Sequence, residues 1–76
     1  MKATVENMLV NAKTVEVMEF VEILNLITNS DNEHQLRTSM SLYSSEIKYF
    51  EYRFGKNHLW VSRKSGNGER LIFVEF

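Results

Sequence analysis

The chain contains no cysteine and no proline. Without cysteine there is no disulfide, no thiolate metal site and no cysteine nucleophile. A small domain lacking disulfides fits a reducing compartment, and the expected location is the cytoplasm. Without proline, helices and strands run unbroken. Glycine is scarce as well. The only three, Gly55, Gly66 and Gly68, all fall in the second half, where they punctuate strands. There is no long hydrophobic run. Met1 to Val10 holds one lysine and a broken apolar stretch of Met8, Leu9 and Val10, too short and too polar for a signal peptide or a membrane-spanning helix.

Neither sign of charge dominates. The net charge is −1 over 76 residues, which argues against a polyanionic DNA mimic and against a generic basic nucleic-acid binder. The distribution is uneven. Residues 1–34 carry two basic and six acidic side chains, and residues 35–76 carry seven basic and four acidic. This reads as an acidic helix lying near a basic sheet. The sharper alternative is a basic patch that meets an anionic partner. At this length residues 1–76 form one domain, marginal in buried surface, for which a partner or a second copy would supply useful burial.

Residues Thr14–Asn29 are expected to be helical. Val17, Phe20, Val21, Leu24 and Ile27 recur with the spacing of one helical face, and Glu16, Glu19 and Glu22 recur on another side that reads as solvated. A shorter stripe of Val5, Met8, Leu9 and Ala12 is rotated by about 100° from that face. It either extends the helix or precedes a break near Asn11–Thr14. Asn29 to Asn32 stop the helix. Residues 31–45 then allow two readings. Ser30 and Glu33 match a capping box opening a helix with Leu36, Met40 and Tyr43 on one face. Alternation of Leu36, Thr38, Met40 and Leu42, with the serine and threonine content of residues 38–45, favours a strand.

The remainder reads as hairpins. Ile47–Phe54, His58–Lys64 and Arg70–Phe76 are rich in aromatic and β-branched residues, separated by Gly55–Asn57 and Ser65–Gly68. The fold class is therefore α+β, an N-terminal helix packed on a three- or four-stranded antiparallel β meander. Phe50, Tyr52, Phe54, Leu59 and Val61 can share the face beneath the helix. The opposite face holds Tyr49 and Trp60, bordered by Glu51, Arg53, His58 and Lys64. One helix cannot cover both faces, so this aromatic face either lies under residues 3–12 or meets a partner. If Arg70–Phe76 forms a sheet edge, its free backbone groups favour a homodimer.

Catalytic chemistry is not legible. The two histidines, His34 and His58, fall on different elements, and no metal or cofactor is expected. No serine sits in a nucleophile elbow. The Gly66-Asn67-Gly68 loop lacks the following helix that would cradle a phosphate. The expected role is a non-enzymatic protein-binding module, a regulator or inhibitor. It would bind another protein or itself through Tyr49, Trp60 and Arg53. The alternative is a nucleic-acid binder using basic hairpins around Lys56, Arg63, Lys64 and Arg70, with Trp60 stacking a base. No membrane contact or small-molecule substrate is implied.

Overall fold

A computed structural model describes residues 1–76. In chain order the elements are β1 (Lys2–Val5), α1 (Thr14–Thr28), α2 (Glu33–Tyr43), a short 3₁₀ turn at Ser44–Glu46, β2 (Phe50–Phe54), β3 (His58–Arg63) and β4 (Arg70–Glu75). The strands form one antiparallel sheet in the order β1-β4-β3-β2. The fold is α+β, with both helices packed on one face of the sheet.

β2, β3 and β4 form the meander expected from the hairpin signals. The order places β4 inside the sheet, between β1 and β3. β4 is therefore not an edge, and the self-pairing expected of it is excluded because both its sides are already hydrogen-bonded. The edges are β1 and β2. Residues 3–12 neither extend the helix nor cover the sheet. Residues 2–5 form the first strand. Residues 6–13 then pass round the end of the sheet to α1, with Leu9 packed against the core.

The second correction concerns residues 31–45, which form helix α2 and the 3₁₀ turn rather than a strand. The Asn32 side chain caps the helix by accepting the Gln35 amide at 3.0 Å. Arg37 pairs with Glu33 one turn back at 2.8 Å. Leu36 and Met40 are fully buried, with Tyr43 packed beside them. A face spaced at three to four residues outweighs the modest β preference of the intervening serines and threonines.

The core comprises Ile23 and Ile27 of α1, Leu36 and Met40 of α2, and Phe50, Leu59, Val61, Leu71, Ile72 and Val74 of the sheet. α1 is rotated from the face that its apolar spacing implies. Val17 and Val21 are 44% and 47% exposed, whereas Glu16 and Glu19 are each only 7% exposed. These glutamates are not a solvated face. Glu19 accepts the backbone amides of Lys48, Tyr49 and Phe50 at 2.7, 2.7 and 3.1 Å. Glu16 takes the Arg63 guanidinium through both carboxylate oxygens, at 2.7 and 3.0 Å. Polar anchoring to the sheet, rather than the apolar count alone, fixes how α1 is turned.

β4 carries a bulge. Val61 pairs with Ile72 but Ser62 pairs with Arg70, leaving Leu71 unmatched. An extra residue reverses the alternation beyond it. Leu71 therefore joins Ile72 in the core, and Arg70 is delivered to the face away from the helices.

Candidate functional site

No helix covers that second sheet face. β3 presents His58, Trp60 and Ser62 there, β4 presents Phe73 and, through the bulge, Arg70, and β2 presents Glu51 and Arg53. Trp60 stands opposite Arg53 on one side and Phe73 on the other. Its ring stacks on His58, with centroids 5.0 Å apart and planes inclined by 17°. His58 in turn lies 5.8 Å from Phe73. The Arg70 guanidinium sits over this group, 4.8 Å from the Phe73 centroid and 5.1 Å from that of Trp60. Such placement is favourable because the cation meets the negative faces of the rings. Glu6 holds Arg70 from the side at 2.9 Å.

Gly55 allows His58 to take this position. A Cβ at Gly55 would meet the His58 ring at 2.3 Å, so any larger residue collides with the imidazole. The Trp60 indole N–H is buried and has no hydrogen-bond partner. Buried indole donors are normally satisfied, and this one lies at the centre of an uncovered face. Beside it opens a groove of about 490 Å³ whose lining includes Glu51, Arg53, Trp60, Ser62, Arg63 and Lys64.

Arg53 and Trp60 are thus brought together, with Lys64 in the same groove. Tyr49 is not. It is 36% exposed and lines a separate depression of about 540 Å³ with Lys13, Glu16, Lys48 and Lys64. The basic residues do not form one patch. Lys56 lies in the β2–β3 turn, and Lys64 in the β3–β4 loop at the opposite end of the sheet. Arg63 is committed to Glu16 and to the carbonyls of Val10 and Asn11, at 2.8 and 3.2 Å. Arg70 is committed to Glu6 and the aromatic rings. The cations left uncommitted around Trp60 are Arg53 and Lys64, facing Glu51.

The Arg63 guanidinium, and next the Lys13 amide, hold the Glu16 carboxyl below the ordinary carboxylate range, and Arg63 is raised in turn. On α2, Tyr43 donates its hydroxyl to Glu22. Burial, and then this bond to an anion, push the phenol well above its usual value. Both pairs join elements rather than line the open face. His34 on α2 and His58 lie on opposite sides of the sheet, and no three histidine, aspartate or glutamate side chains converge to hold a metal. No helix is long and apolar enough to cross a membrane.

Phe73 and the stacking role of Arg70 were not legible in the sequence. Strict alternation leaves open which half of Arg70–Phe76 turns outward, and it puts Arg70 on the wrong side. The adjacent glycine loop was the one available hint of irregular register.

Two helices on one face of a four-stranded antiparallel sheet, with aromatic and cationic side chains on the other, define a two-layer α+β domain with an open sheet. Residues 1–75 match the family described as Domain of unknown function (DUF8466), and the chain belongs to that family. No curated protein and no solved structure matches it.

Proposed function

We propose that this chain is a non-enzymatic binding module that regulates or inhibits another protein through its open sheet face. The observation that carries this reading is Trp60, centred on the sheet face that no helix covers, between Arg53 and Phe73. A tryptophan flanked by arginine and a second aromatic ring has the composition of interface centres. The stacked His58, Phe73 and Arg70 hold the indole in place, so little side-chain freedom is lost on binding. The neighbouring cations Arg53 and Lys64 favour a partner segment bearing carboxylates. Tyr49 falls outside this centre and at most touches the periphery of a larger partner.

The test is capture of partners by the tagged chain from a nuclease-treated lysate of its source cells, with wild type beside Trp60→Ala and Arg53→Glu. The expected result is a protein retained by wild type and lost with both variants, each keeping the wild-type circular dichroism spectrum. Truncating a central interface tryptophan typically costs about 2 kcal/mol or more of binding. Retention unchanged by Trp60→Ala would remove the reading.

Nucleic-acid binding is favoured by one observation, that Arg53 and Lys64 line the same groove as Trp60. The separation of Lys56 and the pairing of Arg63 and Arg70 with carboxylates weaken it. It predicts retention that vanishes with nuclease and an affinity that falls steeply with salt. Arg53→Glu combined with Lys64→Glu should then abolish binding.

A further inference from the structure

The two edges of the sheet are not equivalent. At β2, the Glu19 carboxylate takes the Phe50 amide, so the head of that edge is closed. At β1, nothing closes the outer side. The Glu6 amide donates to the Leu71 carbonyl at 2.8 Å. Glu6, Thr4 and Lys2 therefore turn their backbone groups toward β4, because the pattern repeats every two residues. Ala3 and Val5 turn theirs outward, where no hydrogen bond reaches them. This edge has no bulge and no proline, and its two residues with free outward backbone groups, Ala3 and Val5, carry small or β-branched side chains.

We infer that β1 is the seam of a homodimer in which two copies pair antiparallel about a two-fold axis at Thr4, joining the sheets into eight continuous strands. The register follows from the backbone. Only Ala3 and Val5 offer outward groups, and setting Ala3 opposite Val5 of the second copy satisfies all of them, as four intermolecular hydrogen bonds. Setting Ala3 opposite Ala3, or Val5 opposite Val5, leaves half unmatched within the strand.

The chosen register also matches side chains. Thr4 meets its own copy as a close, non-hydrogen-bonded pair, which two threonines fit. Lys2 meets Glu6 of the second copy, an opposite-charge pair across the strands. Ala3 and Val5 share the helix side of the sheet with their β4 partners Val74 and Ile72. Val5 is 52% exposed in the single chain. The dimer does not depend on Trp60 and would present two copies of the open face on one sheet.

The test uses the absence of native cysteine. In the non-hydrogen-bonded position the two Thr4 Cα atoms lie ~4.5 Å apart, within the span a disulfide bridges. Thr4→Cys should give a disulfide-linked dimer under mild oxidation. Val5→Cys faces Ala3 of the second copy and should cross-link far less. Ala3→Pro removes an outward N–H that makes no bond within the chain, so the monomer should keep its fold. By symmetry it removes two of the four seam bonds, and it should raise the dimer dissociation constant at least about tenfold by sedimentation equilibrium. Trp60→Ala should leave that constant unchanged, which separates this inference from the function of the open face. A wild-type chain that stays monomeric at hundreds of micromolar overturns the inference. So does equal cross-linking of the two cysteine variants, or an Ala3→Pro dimer of undiminished affinity. If Ala3→Pro unfolds, the contrast between the cysteine variants decides alone.

Discussion

Glu19 of α1 accepts the Phe50 amide at 3.1 Å, linking the helix to the head of a strand thirty-one residues later. The same carboxylate also holds the amides of Lys48 and Tyr49. One buried side chain thus satisfies three backbone donors that precede or open β2. A net hydrogen bond to a charged group contributes about 1.5–3 kcal/mol, and an unsatisfied buried donor costs a similar amount. Glu19→Ala is therefore expected to destabilise the fold by about 3 kcal/mol or more, read as a lower urea midpoint with unchanged slope. Glu19→Gln, which keeps one acceptor, should lose less. A loss below about 1 kcal/mol in the alanine variant would mean that water replaces the carboxylate.

Glu19 also shows where the sequence stopped being informative. The helix at Thr14, both hairpin turns and the apolar side of the meander were legible, because each rests on local spacing or turn chemistry. The rotation of α1 was not. Val17 and Val21 read as core, and Glu16 and Glu19 as surface, because hydropathy spacing cannot register a carboxylate anchored by distant amides or by Arg63. Residues 31–45 allow both a helix and a strand, and serine and threonine tip the balance toward strand by obscuring the spacing of Leu36 and Met40 that the structure uses. The place of Trp60 on an open face was legible from alternation within β3. The company it keeps was not, since Arg70 reaches that face only through a bulge at Leu71.

Asn32 tests the α2 boundary. Its side chain is the acceptor that closes the first turn, on the Gln35 amide. Asn32→Ala should cost about 1 kcal/mol, the usual worth of such a cap, whereas Asn32→Asp should be close to neutral. Chemical denaturation of both variants checks this. Equal loss in the two would place the effect elsewhere than in the cap.

Gly55 and His58 are expected to be coupled. Gly55→Ala sets a methyl group 2.3 Å from the His58 ring, and overpacking of this kind costs about 1–3 kcal/mol. His58→Ala removes the obstacle, so the double variant should be more stable than the sum of the single losses requires. A coupling of about 1 kcal/mol or more is expected for residues in direct contact. Additive losses would show that the turn backbone, and not the imidazole, demands glycine.

The Glu16–Arg63 pair makes stability depend on acid. Arg63, followed by the Lys13 amide, holds the folded-state carboxyl below the ordinary range, near 4.3 for an unfolded glutamate. The unfolded chain then takes up a proton at a higher pH than the folded one. The stabilisation is fully present above the ordinary glutamate value and is lost as pH falls through the lower, folded value. Unfolding followed from pH 7 down to pH 3 should show stability falling below about pH 5. In Glu16→Gln, part of that slope should disappear while the loss is already present at neutral pH. Because Arg63 also donates to the Val10 and Asn11 carbonyls, acid should loosen residues 6–13 before the sheet. Amide protection factors, corrected for the intrinsic exchange rate at each pH, that drop there at low pH in wild type and are already low at pH 7 in Glu16→Gln are the expected signature. Equal acid sensitivity in the two proteins would assign the slope to other carboxylates.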